Sequence, residues 1–280
     1  MVSSTLKFGS GQAVERVEDA LLLQGEGQYT NDVDLPAQTR LCFVRSPYPH
    51  AQIVSVDTSA AQAMPGVRLI LTGPQLKAAG VKPMPRAVNF KRADGSPLAS
   101  PDRYILAAER ARYVGEAVAA VVADTEQQAR DAAEAVVVEY QDLPHAVTLH
   151  DALADNAPLI TDSPDNRVAE TRYGNAEAAA QAFAQAAHVV QLDITNQRLV
   201  ALTIEPRSVL AYPDAGRLTV RISSQMPTGV RGMVSDILGL KPDDVRVIVG
   251  DVGGGFGMKT GAYPEDVVTA YCAHQLQRPV

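Results

Sequence analysis

The sequence has only two cysteines, and their placement excludes several kinds of redox or metal protein. Cys42 and Cys272 stand far apart, and no C-x-x-C pair occurs anywhere. This chain alone therefore cannot supply the ligands of a zinc ribbon or an iron–sulfur cluster. Both thiols are expected to be small buried hydrophobes rather than halves of a disulfide. If the protein performs redox chemistry, its electron carriers must lie on another chain or in a bound cofactor.

Long apolar runs and dense basic clusters are also missing. No apolar run approaches the roughly 18 residues that span a membrane, and residues 1–12 lack the apolar core of a secretory signal. The net charge is −7, and the most basic stretch, residues 82–92, contains prolines and is typical of a solvated loop. With 46% hydrophobic and 20% charged residues, the chain can bury a core. The composition predicts a globular, cytoplasmic protein of one or two domains without nucleic-acid binding.

The first half of the chain alternates strand-like and helix-like segments. Two β-rich pieces occupy residues 40–57 around a Ser-Pro-Tyr-Pro turn, and an apolar strand is predicted over 115–122. Asp124 is expected to cap the next helix, with Gln127 at the third helical position. Another strand over 136–139 follows directly. This order predicts a compact α+β unit.

A second unit follows a segment with the composition of a linker, residues 141–174, which is rich in Asp, Asn and Pro. An Ala-rich helix is predicted over 175–187. Apolar and polar residues then alternate over 190–194, as in a half-buried strand. Further along, a helix over 229–239 ends at a glycine, and a strand over 245–249 leads into a glycine cluster.

The glycine cluster, Asp251-Val-Gly-Gly-Gly-Phe-Gly-Met-Lys259, is the most informative stretch. Consecutive glycines let a backbone approach a ligand closely and expose amide donors, which suits an anion or the oxo groups of a metal centre. The spacing fits neither a P-loop nor a dinucleotide-binding fingerprint, because Met258 stands where each pattern requires another residue. A tight turn at a strand end is the alternative. Lys259 either counters the charge of a cofactor or is a solvated lysine after a turn.

With its surroundings, this cluster resembles the molybdenum-cofactor-binding subunits of the xanthine dehydrogenase and aldehyde oxidase family. The resemblance runs from about Arg16 to Val280 and rests on motifs in a fixed order: RSPYPHA at 45–51, YVGEAVA at 113–119, VEYQDLP at 138–144, NQR at 196–198, EPR at 205–207 and GGGFGMK at 253–259. It implies an α+β fold in which an N-terminal a/b hammerhead domain precedes the first part of a mixed α/β molybdopterin-binding domain.

The resemblance also implies an expected division of the chain into four segments. An N-terminal tail covers 1–15, the hammerhead domain 16–140, the linker 141–174, and the N-terminal part of the molybdopterin-binding domain 175–280. The family's large subunit is much longer, so the chain is expected to be an N-terminal fragment or one half of a split subunit. The fragment alone is expected to be inactive.

The family's motif places a set of residues at the cofactor. By position, the resemblance implies that the cofactor-binding residues are Gly254, Gly255, Phe256 and Gly257 of the glycine motif and Gln225 at the end of the preceding strand. The side-chain amide of Gln225 is a neutral donor that would bond an oxo group of the molybdenum. No side chain is expected to ligate the metal directly, and no catalytic residue is assigned, since the family's general-base glutamate would lie beyond Val280. Glu205 is interpreted as a structural carboxylate near the pocket wall.

Departures from the family pattern bear on the substrate. Purine-oxidising members carry a glutamate where this chain has Thr260, whereas Met258 and the Tyr-Pro-Glu at 263–265 resemble the bacterial aldehyde, carbon monoxide and N-heterocycle branch. Cys272 does not match the active-site cysteine of carbon monoxide dehydrogenase, because it follows the glycine motif on a predicted helix.

The resemblance therefore implies a role in a molybdenum hydroxylase. That enzyme would oxidise an aldehyde or an N-heterocycle ahead of carbon monoxide, with water as the oxygen source. The cofactor would be molybdenum-molybdopterin, either plain or in the cytosine dinucleotide form. Partner chains, an iron–sulfur subunit and an FAD subunit, would hold [2Fe–2S] clusters and FAD, and the remainder of the large subunit would complete the site. The alternative is a noncatalytic scaffold that organises partner subunits.

Overall fold

The computed structural model describes residues 15–86, 90–159 and 165–280. The predicted N-terminal tail lies outside these residues apart from Glu15, as do residues 87–89 of the basic stretch. The regular helices and strands of the described part, numbered in chain order, are α1 (Asp19–Leu23), β1 (Arg40–Arg45), β2 (Ala51–Asp57), α2 (Ser59–Gln62), β3 (Val67–Thr72), α3 (Gly73–Ala78), β4 (Arg110–Ala111), β5 (Ala117–Ala123), α4 (Glu126–Glu134), β6 (Val137–Asp142), α5 (Leu149–Leu153), α6 (Ala176–Gln185), β7 (Val209–Asp214), β8 (Arg217–Ile222), α7 (Pro227–Leu238), β9 (Val245–Ile248) and α8 (Pro264–Leu276).

Two antiparallel sheets form the N-terminal part. In the first, β5 lies between β1 and β3, and all seven residues of β5 are buried. In the second, β2 lies between β4 and β6. Helix α4 packs on β1 and β5 through the buried Ala129, Ala132 and Ala133. Small residues on the helix and on the central strand allow this close packing.

The third sheet belongs to the C-terminal part and has the order β7-β8-β9. Strands β7 and β8 are antiparallel, whereas β8 and β9 are parallel, with Val220 opposite Val247. Helix α7 connects the parallel pair, as a βαβ crossover requires. It ends at Gly239, whose φ of 67° is the left-handed conformation that glycine adopts readily. The predicted α+β class is therefore confirmed.

Hydrophobic packing joins the two parts. The largest cluster of buried side chains includes Leu71 and Val122 from the first sheet together with Val220, Ile237 and Val267 from the C-terminal part. Hydrogen bonds also cross between the parts, for example from the backbone N–H of Thr39 to the carbonyl of Pro279 at 2.8 Å. The third sheet and its loops are thus held against the N-terminal sheets. None of the helices in the described part has the length and apolarity to span a bilayer.

Two local predictions are wrong. The cap of α4 is Thr125, whose hydroxyl accepts from the backbone N–H of Gln128 at 3.2 Å, while Asp124 pairs with Arg68. A hydroxyl suits this capping geometry equally well, and Arg68 offers the carboxylate a charged partner. The strand predicted over 190–194 does not form either. No described strand lies alongside to share its backbone hydrogen bonds, so this segment does not become part of a sheet. Its apolar side chains are largely exposed.

Candidate functional site

The glycine cluster lies at the edge of the third sheet where two parallel strands end. Strand β8 leads into Gln225 and β9 leads into the loop 253–259. Because the two strands are parallel neighbours, their carboxyl ends meet at the same edge of the sheet. Helix α7 then begins with Pro227 in its first turn, which carries the chain away from that edge. Sheet topology thus brings together the two segments that the sequence singled out.

Gln225 is bonded to the loop through its backbone and its side chain. Its backbone N–H donates to the carbonyl of Lys259 at 2.8 Å. Its Oε1 accepts from the backbone N–H groups of Gly257, at 3.1 Å, and Lys259, at 3.3 Å. Because both of these backbone groups are hydrogen-bond donors, the oxygen of the Gln225 side-chain amide must face the loop. The Nε2 group has no hydrogen-bond partner within the described residues and is available as a donor.

The glycines of the loop are required by what lies against them. A Cβ at Gly255 would stand 2.4 Å from Cδ and Oε1 of Gln225, and a Cβ at Gly253 would stand 2.4 Å from Cβ of Glu205. Real Cβ atoms do not approach other atoms so closely. Two of the loop's glycines therefore make room for the side chains of Gln225 and Glu205, as expected where a backbone must pass close to another group.

The loop backbone is strained and presents unpaired donors. Phe256 has a φ of 49° and a side chain that is 78% exposed, so burial of the ring does not offset the roughly 1 kcal/mol or more that this conformation costs. Strain of this kind is concentrated at functional sites. The backbone N–H groups of Gly254, Gly255 and Phe256 have no partner among residues 15–86, 90–159 and 165–280. Successive free N–H groups of this kind form an anion-binding concavity.

Behind the loop lies an ion pair that the sequence did not reveal. The side chain of Lys259 is 0% exposed, and its Nζ lies 2.8 Å from Oε2 of Glu205. The interpretation of Lys259 as a solvated lysine is therefore wrong. Burial alone would raise the pKa of Glu205, but the hydrogen bonds from Lys259, Ser223 and Gly253 outweigh it and lower that pKa. No local signal could have found the pair, because its members are far apart in sequence.

Cys272 and Glu116 are not among the residues at this edge of the sheet. Cys272 lies fully buried in α8, where burial raises the pKa of its thiol. Glu116 is buried as well, and its Oε2 accepts from the backbone N–H of Arg112 at 2.6 Å. Among the described residues, no three or more His, Cys, Asp or Glu side chains are grouped as metal ligands.

Asp266, in the first turn of α8, predicts a pH dependence of stability. Burial raises its pKa from 3.8 to about 6, although the backbone N–H of Tyr263 donates to it at 2.8 Å and Arg207 lies nearby. The folded state therefore favours the protonated acid. The resulting stability is fully present below pH 4 and is lost as the pH rises through about 6, by up to ~3 kcal/mol. Asp266→Asn keeps an acceptor without the charge, so its unfolding temperature should rise relative to that of the wild type between pH 5 and pH 8.

Asp124→Asn is the matched control for that measurement, because Arg68 lowers the pKa of Asp124. This ion pair contributes stability above the ordinary pKa of the acid, and the contribution is lost as the pH falls. At pH 7, Asp124→Asn should therefore leave the unfolding temperature unchanged or lower it, whereas Asp266→Asn should raise it. Thermal unfolding followed by circular dichroism at several pH values measures both differences. A pH-independent difference for Asp266→Asn would show that folding does not raise the pKa of this carboxyl.

Comparison with protein-family models places two matches along the chain. Residues 24–144 match the a/b hammerhead domain of aldehyde oxidase and xanthine dehydrogenase. Residues 160–280 match the molybdopterin cofactor-binding domain. The second match includes both Gln225 and the loop 253–259.

Individual relatives and solved structures agree with these matches. The nicotine 6-hydroxylase large subunit of Paenarthrobacter nicotinovorans is 36% identical, over 96% of this chain and 32% of its own length. The structure of carbon monoxide dehydrogenase from Oligotropha carboxidovorans superposes with a TM-score of 0.85 at 35% identity, over 96% of this chain and 34% of that one. Quinoline 2-oxidoreductase from Pseudomonas putida 86 gives 0.82 at 33% identity, with coverages of 96% and 34%. The chain thus spans about a third of the length of these relatives.

Proposed function

We propose that the chain forms one wall of the molybdopterin site of a molybdenum hydroxylase. The proposal starts from its family: the chain belongs to the aldehyde oxidase and xanthine dehydrogenase family, in the bacterial branch with the large chains of nicotine hydroxylase and carbon monoxide dehydrogenase. The observation that carries the proposal is that three backbone N–H groups without a partner in the described part of the chain lie beside the Gln225 amide at one sheet edge. This donor set fits a cofactor whose exposed atoms are acceptors.

The residues of this chain would hold that cofactor through neutral donors. The N–H groups of Gly254, Gly255 and Phe256 would bond its oxo, dithiolene or phosphate acceptors, and Nε2 of Gln225 would donate to an oxo group. Gly257 also lies at the cofactor in this proposal, and its N–H keeps Oε1 of Gln225 on the loop side. When bound, the cofactor supplies the two-electron chemistry by which a substrate carbon is hydroxylated with oxygen from water. This chain contributes fixed dipoles that need no reorganisation during the reaction.

We propose an N-heterocycle or an aldehyde as the substrate. Thr260 occupies the position of the glutamate of purine-oxidising members, and its hydroxyl donates to the carbonyl of Gly257 at 2.9 Å. Thr260 therefore stabilises the loop by a hydrogen bond and provides no carboxylate that could bind a purine. Relatives named for nicotine and quinoline oxidation support a heterocyclic ring. Partner chains would carry the [2Fe–2S] clusters and FAD that accept the electrons, and the cofactor could be the cytosine dinucleotide form.

The experiment that tests the proposal is elemental analysis of the full-length subunit, purified with its natural partners from molybdate-fed cells. About one molybdenum per copy is expected, together with transfer of oxygen from ¹⁸O-water to a heterocyclic or aldehyde substrate. An intact complex without molybdenum would overturn the proposal and favour the scaffold hypothesis. Molybdenum without turnover of either substrate class would overturn only the substrate assignment.

A further inference from the structure

The ammonium group of Lys259 is enclosed by protein oxygens. It donates to Oε2 of Glu205 at 2.8 Å, to Oγ of Ser223 at 2.8 Å and to the backbone carbonyl of Glu205 at 3.0 Å. A lysine has three N–H donors, so every one of them is used. Fully buried lysines are rare and occur when paired. Lys259 is therefore held in one orientation, with no freedom to reach solvent.

The carboxylate of Glu205, the partner of Lys259, also accepts several hydrogen bonds. Its Oε2 accepts from Lys259, from Oγ of Ser223 at 2.6 Å and from the backbone N–H of Gly253 at 2.8 Å. Its Oε1 is buried without a partner in the described part of the chain. One carboxylate oxygen thus collects three donors, and one of those donors is the first glycine of the loop.

The ion pair connects the two ends of the loop 253–259. Glu205 binds the beginning of the loop through the N–H of Gly253, and Lys259 is its last residue. Lys259 also binds Gln225 through its backbone, with its carbonyl accepting from the N–H of Gln225 and its N–H donating to Oε1. Any movement of Lys259 would therefore move the loop and Gln225 together.

We propose that the Lys259–Glu205 ion pair, with Ser223, is a positioning clamp that closes the base of the glycine loop and sets the geometry of the donors at its tip. The inference rests on the function proposed above. Stability alone does not account for such a pair, since a buried ion pair gains little over apolar side chains of similar volume. What apolar side chains could not reproduce is the set of directed bonds to Gly253 and Ser223.

Three variants of the full-length subunit, purified with its partners, test the clamp. Lys259→Met and Glu205→Gln each leave one buried charge uncompensated and should lower the unfolding temperature. The double variant K259M/E205Q leaves no charge and should regain most of that temperature. If the pair positions the loop, the double variant should still exchange the amide hydrogens of Gly253, Gly257 and Lys259 at least about tenfold faster than the wild type. It should also retain less molybdenum and show an altered Mo(V) electron paramagnetic resonance spectrum.

The exchange measurement keeps the two proposals apart. It needs no bound cofactor, so a clamp can be detected even if the wild type contains no molybdenum and the proposed function fails. Recovery of stability, amide protection and molybdenum content together in the double variant would overturn the clamp. If the double variant does not fold, Ser223→Ala replaces it, because it removes one bond from each charged partner and leaves the pair intact. Normal protection of the loop in Ser223→Ala would then count against the clamp.

A surface ion pair supplies the matched control. Arg68 and Asp124 form two hydrogen bonds to each other, but both side chains remain substantially exposed. The double variant R68M/D124N removes two charges at a site away from the loop. Exposed pairs contribute little to stability. Loop exchange, molybdenum content and the Mo(V) spectrum should therefore match those of the wild type.

Discussion

Replacing Gly255 by alanine is expected to lower substrate turnover by about a hundredfold while changing the unfolding temperature by only a few degrees. The added Cβ would stand 2.4 Å from Cδ and Oε1 of Gln225. Gln225 is exposed and its side chain is unbranched, so it can rotate aside at little cost in stability. In doing so it loses the hydrogen bonds from Gly257 and Lys259 and no longer presents its amide at the site. Steady-state kinetics and thermal unfolding of the full-length complex measure the two effects.

A double-mutant cycle shows whether Gly255 acts through Gln225. If it does, Gly255→Ala should add almost nothing to the effect of Gln225→Ala, because the side chain it displaces is already gone. Fully additive effects on turnover would contradict this explanation. Gly232→Ala in α7 is the matched control, since no atom of the described residues lies within 4 Å of its added Cβ. It should keep full turnover and gain roughly 0.5–1 kcal/mol of helix stability.

Replacing Gly73 by alanine should lower the free energy of unfolding by about 3 kcal/mol. Gly73 is the first residue of α3, and its added Cβ would lie 2.2 Å from the backbone oxygen of Ala107. Unlike the side chain of Gln225, this backbone cannot swing aside, because the N–H of Ala107 bonds to Ala117 in the central strand β5 at 2.8 Å. Equilibrium unfolding in denaturant measures the loss.

The control for this prediction is Gly80→Ala, just beyond the same helix. Its added Cβ would meet no atom within 4 Å in the part of the chain that the structure describes, but its φ is 78°. Its cost is therefore conformational strain alone, roughly 1 kcal/mol. A loss for Gly73→Ala no greater than that for Gly80→Ala would show that the contact with Ala107 relaxes easily. Comparing the two glycines, one at the start of α3 and one just beyond its end, separates steric contact from backbone strain.

Local patterns in the sequence predicted most of the regular structure. The apolar strand over 115–122 forms β5, and the helix over 229–239 forms α7 and ends at Gly239 as expected. These elements were predictable because their apolar periodicity and their terminating glycine act over a few residues. The alternation over 190–194, by contrast, led to the prediction of a strand that does not form. Alternation reports which side chains a strand would bury, and it carries no information on whether a neighbouring strand is present.

Some parts of the candidate site were likewise predictable from the sequence, and others were not. The loop 253–259 was recognisable from its glycines, and Gln225 from its place in the family motif. The division into a tail, hammerhead domain, linker and molybdopterin-binding part stays a prediction, as does the binding of cofactor by the named residues. The burial of Lys259 was not accessible, because a lysine after a glycine turn is solvated in most proteins. Its partner Glu205 is distant in the sequence and is a neighbour only in the folded structure.

The sequence by itself determined where many of the strands and helices form, which loop is rich in glycine, and which family the motifs resemble. Each of these depends on residue types at short spacing. Only the tertiary structure decided that Gln225 lies against Gly255, that three loop N–H groups have no partner in the described part of the chain, and that Lys259 is enclosed with Glu205. Those contacts join residues distant in the chain. The parallel pairing of β8 and β9 fixes them, because it brings the ends of two separate strands to one edge of a sheet.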